Sequence, residues 1–309
     1  MIITTKQYKN ANMNRAKKEK NDEFYTLYED VASELSKYES QLKGKAILCP
    51  CDWDYEDLTN EQKQEYREKG FVKGINDNFA FSQFLRAKNS NIGLNSNWQN
   101  KLYFSHYNPN TGGEGRPFQI AIREFAKREP DGIVITNPPF SLFREFIDVL
   151  FECNLKFLII GNKNALAYKK IFPLFMENKL WIGYTVPRRF VTVDNKTVNL
   201  GVCIWFTNLD VDKKEKLILT EKYDPEKYPK YDNYDAINVD KTKDIPYDYD
   251  GLIGVPITFL QKYNPEQFEI IGHSRYLEKH GGGDVKINGK TCYTRIIIKN
   301  LNPNKGIEL

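Results

Sequence analysis

Hydrophobic positions recur along this chain with helical and strand periods in turn. From Glu29 the apolar residues Val31, Leu35, Tyr38 and Leu42 keep helical spacing until Gly44, which predicts a helix stopped by the glycine. Residues 45–49 then read as a short buried strand. Phe118, Ile122, Phe125 and Ala126 predict a second helix, and residues 132–136 a second strand. Phe143, Phe146, Ile147, Leu150 and Phe151 fill the i, i+3, i+4, i+7, i+8 series of a third helix, with Ser141 as its expected N-cap. A strand at 156–160 and a helix around 165–177 follow. Two β-like stretches, 190–193 and 198–206, flank Asp194-Asn195-Lys196, a sequence suited to a hairpin turn.

Alternation of strand and helix from about residue 30 to 180 predicts an α/β fold. The expected form is a largely parallel sheet, helices on both faces, and an antiparallel hairpin at its end. Residues 1–22 are polar and rich in Lys and Asn, and read as a flexible arm. Residues 53–116 carry many Asn, Gln and charged residues, with short apolar patches at Phe79, Phe81, Phe84 and Leu85; part of this stretch is expected to be loop or insertion. Beyond residue 208 the texture changes, and 221–250 hold many Tyr, Asp, Lys and Pro with little periodicity. A boundary near 208 leaves a smaller C-terminal region, 209–309.

Composition narrows the classes. Of 309 residues, 40% are hydrophobic and 14% aromatic, enough for a substantial core. No stretch approaches the roughly twenty apolar residues of a membrane span, and the N-terminus has no signal-peptide core, so a cytoplasmic protein is expected. The five cysteines, at 49, 51, 153, 203 and 292, form no Cys-x-x-Cys pair and read as reduced thiols; no metal site is expected. The net charge of +4 permits a polyanionic partner without demanding one. The lysine clusters at 17–20 and 213–216 read as solvated faces.

One tetrapeptide carries chemistry. Asn137-Pro138-Pro139-Phe140 follows a strand and precedes a helix, at the carboxyl end of a strand where open α/β sheets place ligand crevices. An aromatic amine is a poor nucleophile because its lone pair is delocalised into the ring. The Asn137 amide oxygen and the Pro138 carbonyl can accept its N–H bonds, favouring a tetrahedral nitrogen whose lone pair attacks a methylsulfonium. The two prolines hold those acceptors rigid. Phe140 offers a face for a base extruded from a duplex, worth about 1–3 kcal/mol per stacked base. Asn and Pro are also common turn formers; the strand before and helix after favour the chemical reading.

The sequence resembles the EcoRI-type adenine-specific DNA methyltransferases. The segments that carry the likeness are Asn21-Asp22-Glu23-Phe24-Tyr25-Thr26, Leu48-Cys49-Pro50-Cys51-Asp52, Thr136 through Glu145, and Ile160-Gly161-Asn162-Lys163-Asn164-Ala165. Further matches are 205–209 and 231–239. The resemblance implies a Rossmann-like S-adenosylmethionine-dependent methyltransferase fold over 23–208 and a target-recognition region over 209–309. It implies a catalytic centre of Asn137, Pro138, Pro139 and Phe140. It also implies a cofactor site from Phe24, Tyr25, Thr26, Cys49, Asp52 and Asn137. A carboxylate at Asp52 can pair with an ammonium or accept from hydroxyls, although Asp54, Glu56 and Asp57 stand close by. Pro50 and Trp53 depart from the family pattern after the first strand. The family's acid before the catalytic strand has only Glu114, in a glycine-rich stretch, as a candidate.

The implied partner is double-stranded DNA, with Arg188, Arg189 and Lys163 as candidate contacts; the arginines serve equally well as partners of acidic neighbours. A cognate restriction endonuclease, a bacterial host-protection role and a monomeric state follow from the resemblance alone. Rival readings are methylation of RNA adenine, DNA cytosine or a protein glutamine, and, in another class, a catalytically silent nucleic-acid-binding module. The glutamine-modifying enzymes typically end the tetrapeptide in Tyr, and the cytosine enzymes usually begin it with Ser, so Asn137 and Phe140 favour adenine.

Overall fold

A computed structural model describes residues 24–69, 72, 79–90, 97–105, 117–192, 196–212, 214–277 and 284–303. The expected arm at 1–22 and the candidate Glu114 lie outside the described residues. The chain divides into two compact units, Met1–Lys163 with Gly183–Leu209, and Asn164–Ile182 with Asp210–Leu309.

The strands of the first unit are β1 (Phe24–Thr26), β2 (Ala46–Cys49), β3 (Lys101–Phe104), β4 (Ile133–Thr136), β5 (Lys156–Asn162), β6 (Arg189–Thr192), β7 (Thr197–Asn199) and β8 (Cys203–Thr207). Its α-helices are α1 (Tyr28–Leu35), α2 (Glu39–Leu42), α3 (Asn60–Lys69), α4 (Ala80–Asn89), α5 (Phe118–Arg128) and α6 (Phe143–Glu152). Strands β3, β2, β4 and β5 lie side by side in that order, all parallel, and β8 joins β5 antiparallel. Every residue of β2 and β4 is buried, which is why both read as unbroken apolar runs.

Helices cover both faces of this mixed sheet, and two neighbouring residues on β8 show it. The Trp205 ring meets Phe81 of α4 at 6.0 Å, whereas the Phe206 ring meets Phe143 of α6 at 4.8 Å. Successive strand side chains point to opposite faces, so α4 and α6 lie on opposite sides. Helix α1 joins α4 through Tyr28 and Phe84, and α5 joins α6 through the stacked rings of Phe118 and Phe146. Gly161 lets α6 sit close on β5: a Cβ there would fall 2.3 Å from the Phe143 ring.

Three expectations about the first unit need correction. The first helix is interrupted, with a 3-10 turn at Ser36–Tyr38 between α1 and α2, although Gly44 does end it at φ +77°. Ser141 does not cap α6; it lies in the 3-10 turn Phe140–Leu142, and Leu142 holds the cap position without a side-chain bond. The stretch 53–116, expected in part to be loop or insertion, also contributes α3, α4 and the parallel edge strand β3. Helix α3 buries only Tyr66, so it leaves no apolar stripe to read. Finally, the hairpin does not end the main sheet. The expected strand 198–206 breaks at 200–202: β7 pairs with β6, and β8 alone enters the main sheet. Strands β1, β6 and β7 form a separate three-stranded antiparallel sheet.

In the second unit the helix expected around 165–177 is reduced to a 3-10 turn at Lys163–Ala167 and the short α7 (Phe172–Met176). A two-residue strand, Trp181–Ile182, follows. The remaining strands are β9 (Ile237–Asn238), β10 (Leu252–Pro256), β11 (Phe268–His273), β12 (Lys286–Ile287), β13 (Lys290–Thr291) and β14 (Arg295–Asn300). They form a four-stranded sheet in the order β9-β10-β14-β11 and a β12–β13 hairpin. Tyr231, Tyr234, Ala236, Val285 and Ile297 pack together in a core of their own. All five cysteines are free. No helix among the described residues is long and apolar enough to cross a membrane.

Phe143 joins α6, β5 and β8 at 2% exposure. Phe143→Ala should cost about 3–5 kcal/mol, read as a lowered midpoint in chemical denaturation with native helix content before the transition.

Candidate active site

The tetrapeptide sits where β4 ends. Pro138 is buried, and Pro139 holds an extended backbone at φ −53°, ψ 127°. Leu142 N–H donates back to the Pro139 carbonyl at 3.0 Å. The chain therefore leaves the sheet as a stiff extended segment and turns at once into the helix. Asn137, first in that segment, is half-buried.

Its amide is held from across the site. Asn137 Nδ2 donates to the backbone carbonyl of Phe24 in β1. A carbonyl can only accept, so this partner fixes which end of the amide is nitrogen. Oδ1 is left buried, with no hydrogen-bond partner among the described residues. An orphaned acceptor of that kind is rare in a folded interior and is a ready partner for an amine donor. The Phe24 ring also stacks on Phe140, with centroids 5.7 Å apart and planes at 26°, and meets Phe190 of β6 edge-on at 6.4 Å. One face of Phe140 is thus already covered by protein. Strands β1 and β6 place Phe24 opposite Thr192, Tyr25 opposite Val191 and Thr26 opposite Phe190. Tyr25 is half-buried; Thr26 is buried, and its hydroxyl has no partner among the described residues.

A second junction lies beside the first. Asp52, just past β2, is fully buried. Thr136 Oγ1, the last side chain of β4, donates to Asp52 Oδ2 at 2.9 Å. Asp52 Oδ1 has no partner among the described residues. Burial pushes this carboxyl well above the ordinary carboxylate range, and the Thr136 hydroxyl only partly offsets it. This bond therefore ties the acid at one strand end to the residue preceding Asn137 on another.

A cavity of about 580 Å³ opens beside these strand ends, its wall including Asp52, Trp53, Asp57, Phe104, Ser105 and Glu124. Asp52 shapes the wall while its side chain stays closed to solvent. The neighbouring acids separate by their partners. Asp54 is engaged by Arg86 through Nε at 3.2 Å and through Nη2, and Glu56 by Lys63 at 3.0 Å. Asp57 is exposed at the cavity. Trp53 packs against the cluster of Tyr55, Leu58, Tyr66, Val72 and Phe79, which holds the indole in place. Cys49 is fully buried, and desolvation, reinforced by Asp52, pushes its thiol well up. Its carbonyl accepts from Ser105 N–H at 3.1 Å. Cys49 thus shapes the site through its backbone, its side chain being enclosed.

The three basic candidates make contacts of their own. Arg188 and Arg189 are exposed, and their backbone N–H groups donate to Asp30 Oδ2 at 3.0 and 3.3 Å. The Arg189 guanidinium pairs with Glu29 at 3.6 Å, as the alternative reading of the arginines expected. Lys163 N–H donates to Val202 O at 2.7 Å, and its Nζ reaches Gly201 O at 3.5 Å. Sequence reasoning missed Thr136, Trp53 as a cavity wall, and the sorting of the acids. A polar residue closing the apolar run Ile133-Val134-Ile135 was the visible signal for Thr136.

Comparison with known proteins assigns the chain to a family. Residues 12–99 and 124–301 match the family model described as adenine-specific methyltransferase EcoRI. The chain is 39% identical to the type II methyltransferase M.EcoRI of Escherichia coli, over 96% of this chain and 98% of that protein. It is 34% identical to M.MpnI of Mycoplasma pneumoniae, over 93% of this chain and 97% of that one. With M.MgeORF184P of Mycoplasma genitalium the identity is 35%, over 93% and 98%. Similarity across nearly the whole length shows that the chain belongs to the EcoRI-type family of adenine-specific methyltransferases.

Proposed function

We propose that this chain methylates the exocyclic amino group of adenine at a specific site in duplex DNA, with S-adenosylmethionine as donor and the target base swung out of the helix. The observation that carries the reading is the Asn137 amide, its nitrogen committed to Phe24 O and its oxygen left free. Asn137 Oδ1 and the Pro138 carbonyl would accept the two N–H bonds of the target amine and draw its nitrogen toward a tetrahedral shape. The prolines hold both acceptors still, so little reorganisation is needed as charge develops. The amine nitrogen would form its new bond to the methyl carbon as the S–CH3 bond breaks to leave a neutral thioether, and the surplus proton would leave to water.

The residues beside β2 and β3 suit the donor. A buried, half-satisfied carboxylate at Asp52, an exposed one at Asp57 and the Trp53 indole match an ammonium, ribose hydroxyls and a purine. Phe24, Tyr25, Thr26 and the backbone of Cys49 complete the site in this reading. When bound, S-adenosylmethionine supplies an electrophilic methyl group on a sulfonium. Phe140 contributes a stacking face, and a base seated on the side that Phe24 now covers would require that ring to shift.

For DNA, Arg188 is exposed and its guanidinium has no partner among the described residues, and the exposed pair of Arg189 with Glu29 is weak enough for a phosphate to displace. Lys163 would extend the same contact. Residues 209–309, with their own sheet and core, are the proposed target-recognition region. A monomeric host-protection methyltransferase, with or without a cognate nuclease, fits this assignment.

Labelled S-adenosylmethionine incubated with varied duplexes should leave label on the adenine amino group after nucleoside analysis; label on cytosine or on protein alone would overturn the reading. Asn137→Ala should reduce transfer by roughly 10²-fold or more while sparing donor binding measured by calorimetry. Phe140→Ala should lose on the order of tenfold, the scale of one stacked base.

Asp52 gives a test without DNA. Its folded pKa is raised above the ordinary 3.8, so its contribution to stability is full below that value and is lost as pH rises through the folded one. In the ligand-free protein, Asp52→Asn should therefore melt higher than the parent near pH 8, with the gap closing toward about pH 4. The same variant should bind the donor roughly tenfold more weakly.

A further inference from the structure

Two acids on α1 belong to neither the donor site nor the amine site. Glu34 is 0% exposed. A buried carboxylate is costly unless hydrogen-bonded, and here both oxygens are served twice. Oε1 accepts from the Tyr38 hydroxyl at 2.9 Å and from Tyr184 N–H at 2.8 Å; Oε2 accepts from Thr185 N–H at 2.6 Å and from Thr185 Oγ1 at 2.7 Å. Space for this arrangement depends on Gly183, where a Cβ would fall 2.1 Å from Glu34 Oε1. One helical turn earlier, Asp30 Oδ2 accepts from the N–H groups of Arg188 and Arg189.

Together the two acids hold the backbone N–H groups of Tyr184, Thr185, Arg188 and Arg189. That segment runs directly into β6, β6 pairs with β1, and the Phe24 carbonyl of β1 holds the Asn137 amide. The Phe190 and Phe24 rings reinforce the same junction. A buried acid adds little net stability compared with a well-packed apolar residue of its size. Its distinctive contribution is direction, since short bonds from four donors fix where a backbone runs.

We propose that Glu34, assisted by Asp30, is a positioning residue for methyl transfer: it fixes the 184–189 segment, and through β6 and β1 the carbonyl that orients Asn137. This rests on the reading of Asn137 as acceptor of the target amine. Glu34 touches no reacting atom and acts entirely through that chain of bonds.

Glu34→Gln is the test, because glutamine keeps the shape but turns an NH2 group toward donors. With S-adenosylmethionine and a duplex that the parent methylates, kcat should fall roughly tenfold or more, the scale of a small misplacement, while both KM values stay within about twofold. Hydrogen exchange should quicken at 184–189 and also at Phe24–Thr26. A folded variant with unchanged kcat, or with faster exchange confined to 184–189, would overturn the proposal, as would a lower melting point with full activity per folded molecule. If Glu34→Gln does not fold, Asp30→Asn at its more accessible site carries the same readouts. There kcat should fall about threefold, and an unchanged kcat again overturns the proposal. If the parent methylates no duplex, the functional reading fails by itself, and exchange at Phe24–Thr26 alone decides whether Glu34 governs that strand.

Discussion

A side-chain amide has two ends of similar shape and opposite hydrogen-bonding character, and in the proposed methyl transfer the chemistry depends on which end faces the target. The Phe24 carbonyl makes that choice for Asn137. Because a carbonyl oxygen has no proton to give, the alternative orientation would set oxygen against oxygen. Much of the first unit can be understood as support for this one bond. The main sheet places Asn137 at the end of β4, the two prolines deny the backbone other paths, and the small β1–β6–β7 sheet brings Phe24 to meet it. Neither half is sufficient, since the acceptor and the group that orients it lie far apart in the chain.

Asp52 shows a complementary economy. A carboxyl group this deeply enclosed, given one hydroxyl partner and one open oxygen, is poorly solvated until something cationic or proton-donating arrives. The folded chain therefore keeps an unfavourable group in reserve beside the cavity. Thr136 spans the gap between this acid and Asn137, so the proposed donor side and the proposed acceptor side share one strand end.

How much of this could be read from the letters alone differs by element. Strands β2 and β4 were visible because both are buried on two faces, and α6 because its apolar stripe is long. Helix α3 was invisible: it buries only Tyr66 and otherwise presents polar residues, including the exposed Lys69–Glu65 pair. Edge strand β3 has four residues and one exposed end, too short a run to stand out. The break at 200–202 was hidden because β7 and β8 are both extended, and only pairing partners, which are non-local, tell them apart. At the site, Asn137, Phe140 and Phe24 were each legible as residues, through chemistry or resemblance. Their contact was not, because β1 and β4 meet by tertiary packing. Glu34 carried no signal, since one acid on an amphipathic helix normally faces water.

The pairing of β1 with β6 has a consequence for how the protein comes into being. Phe24 leaves the ribosome before strands β2 to β5, yet the strand it pairs with follows them and ends at Thr192. Strands β2 through β5 can assemble while that partner is still being synthesised, so the emerging chain can own a nearly finished sheet and still lack the carbonyl that aims Asn137. Closing so long a loop adds little to its equilibrium cost but delays its formation. If the proposed role of Asn137 holds, competence for transfer is acquired only once β6 has been made, and a truncated chain ending before β6 would carry the whole tetrapeptide without the carbonyl that orients it.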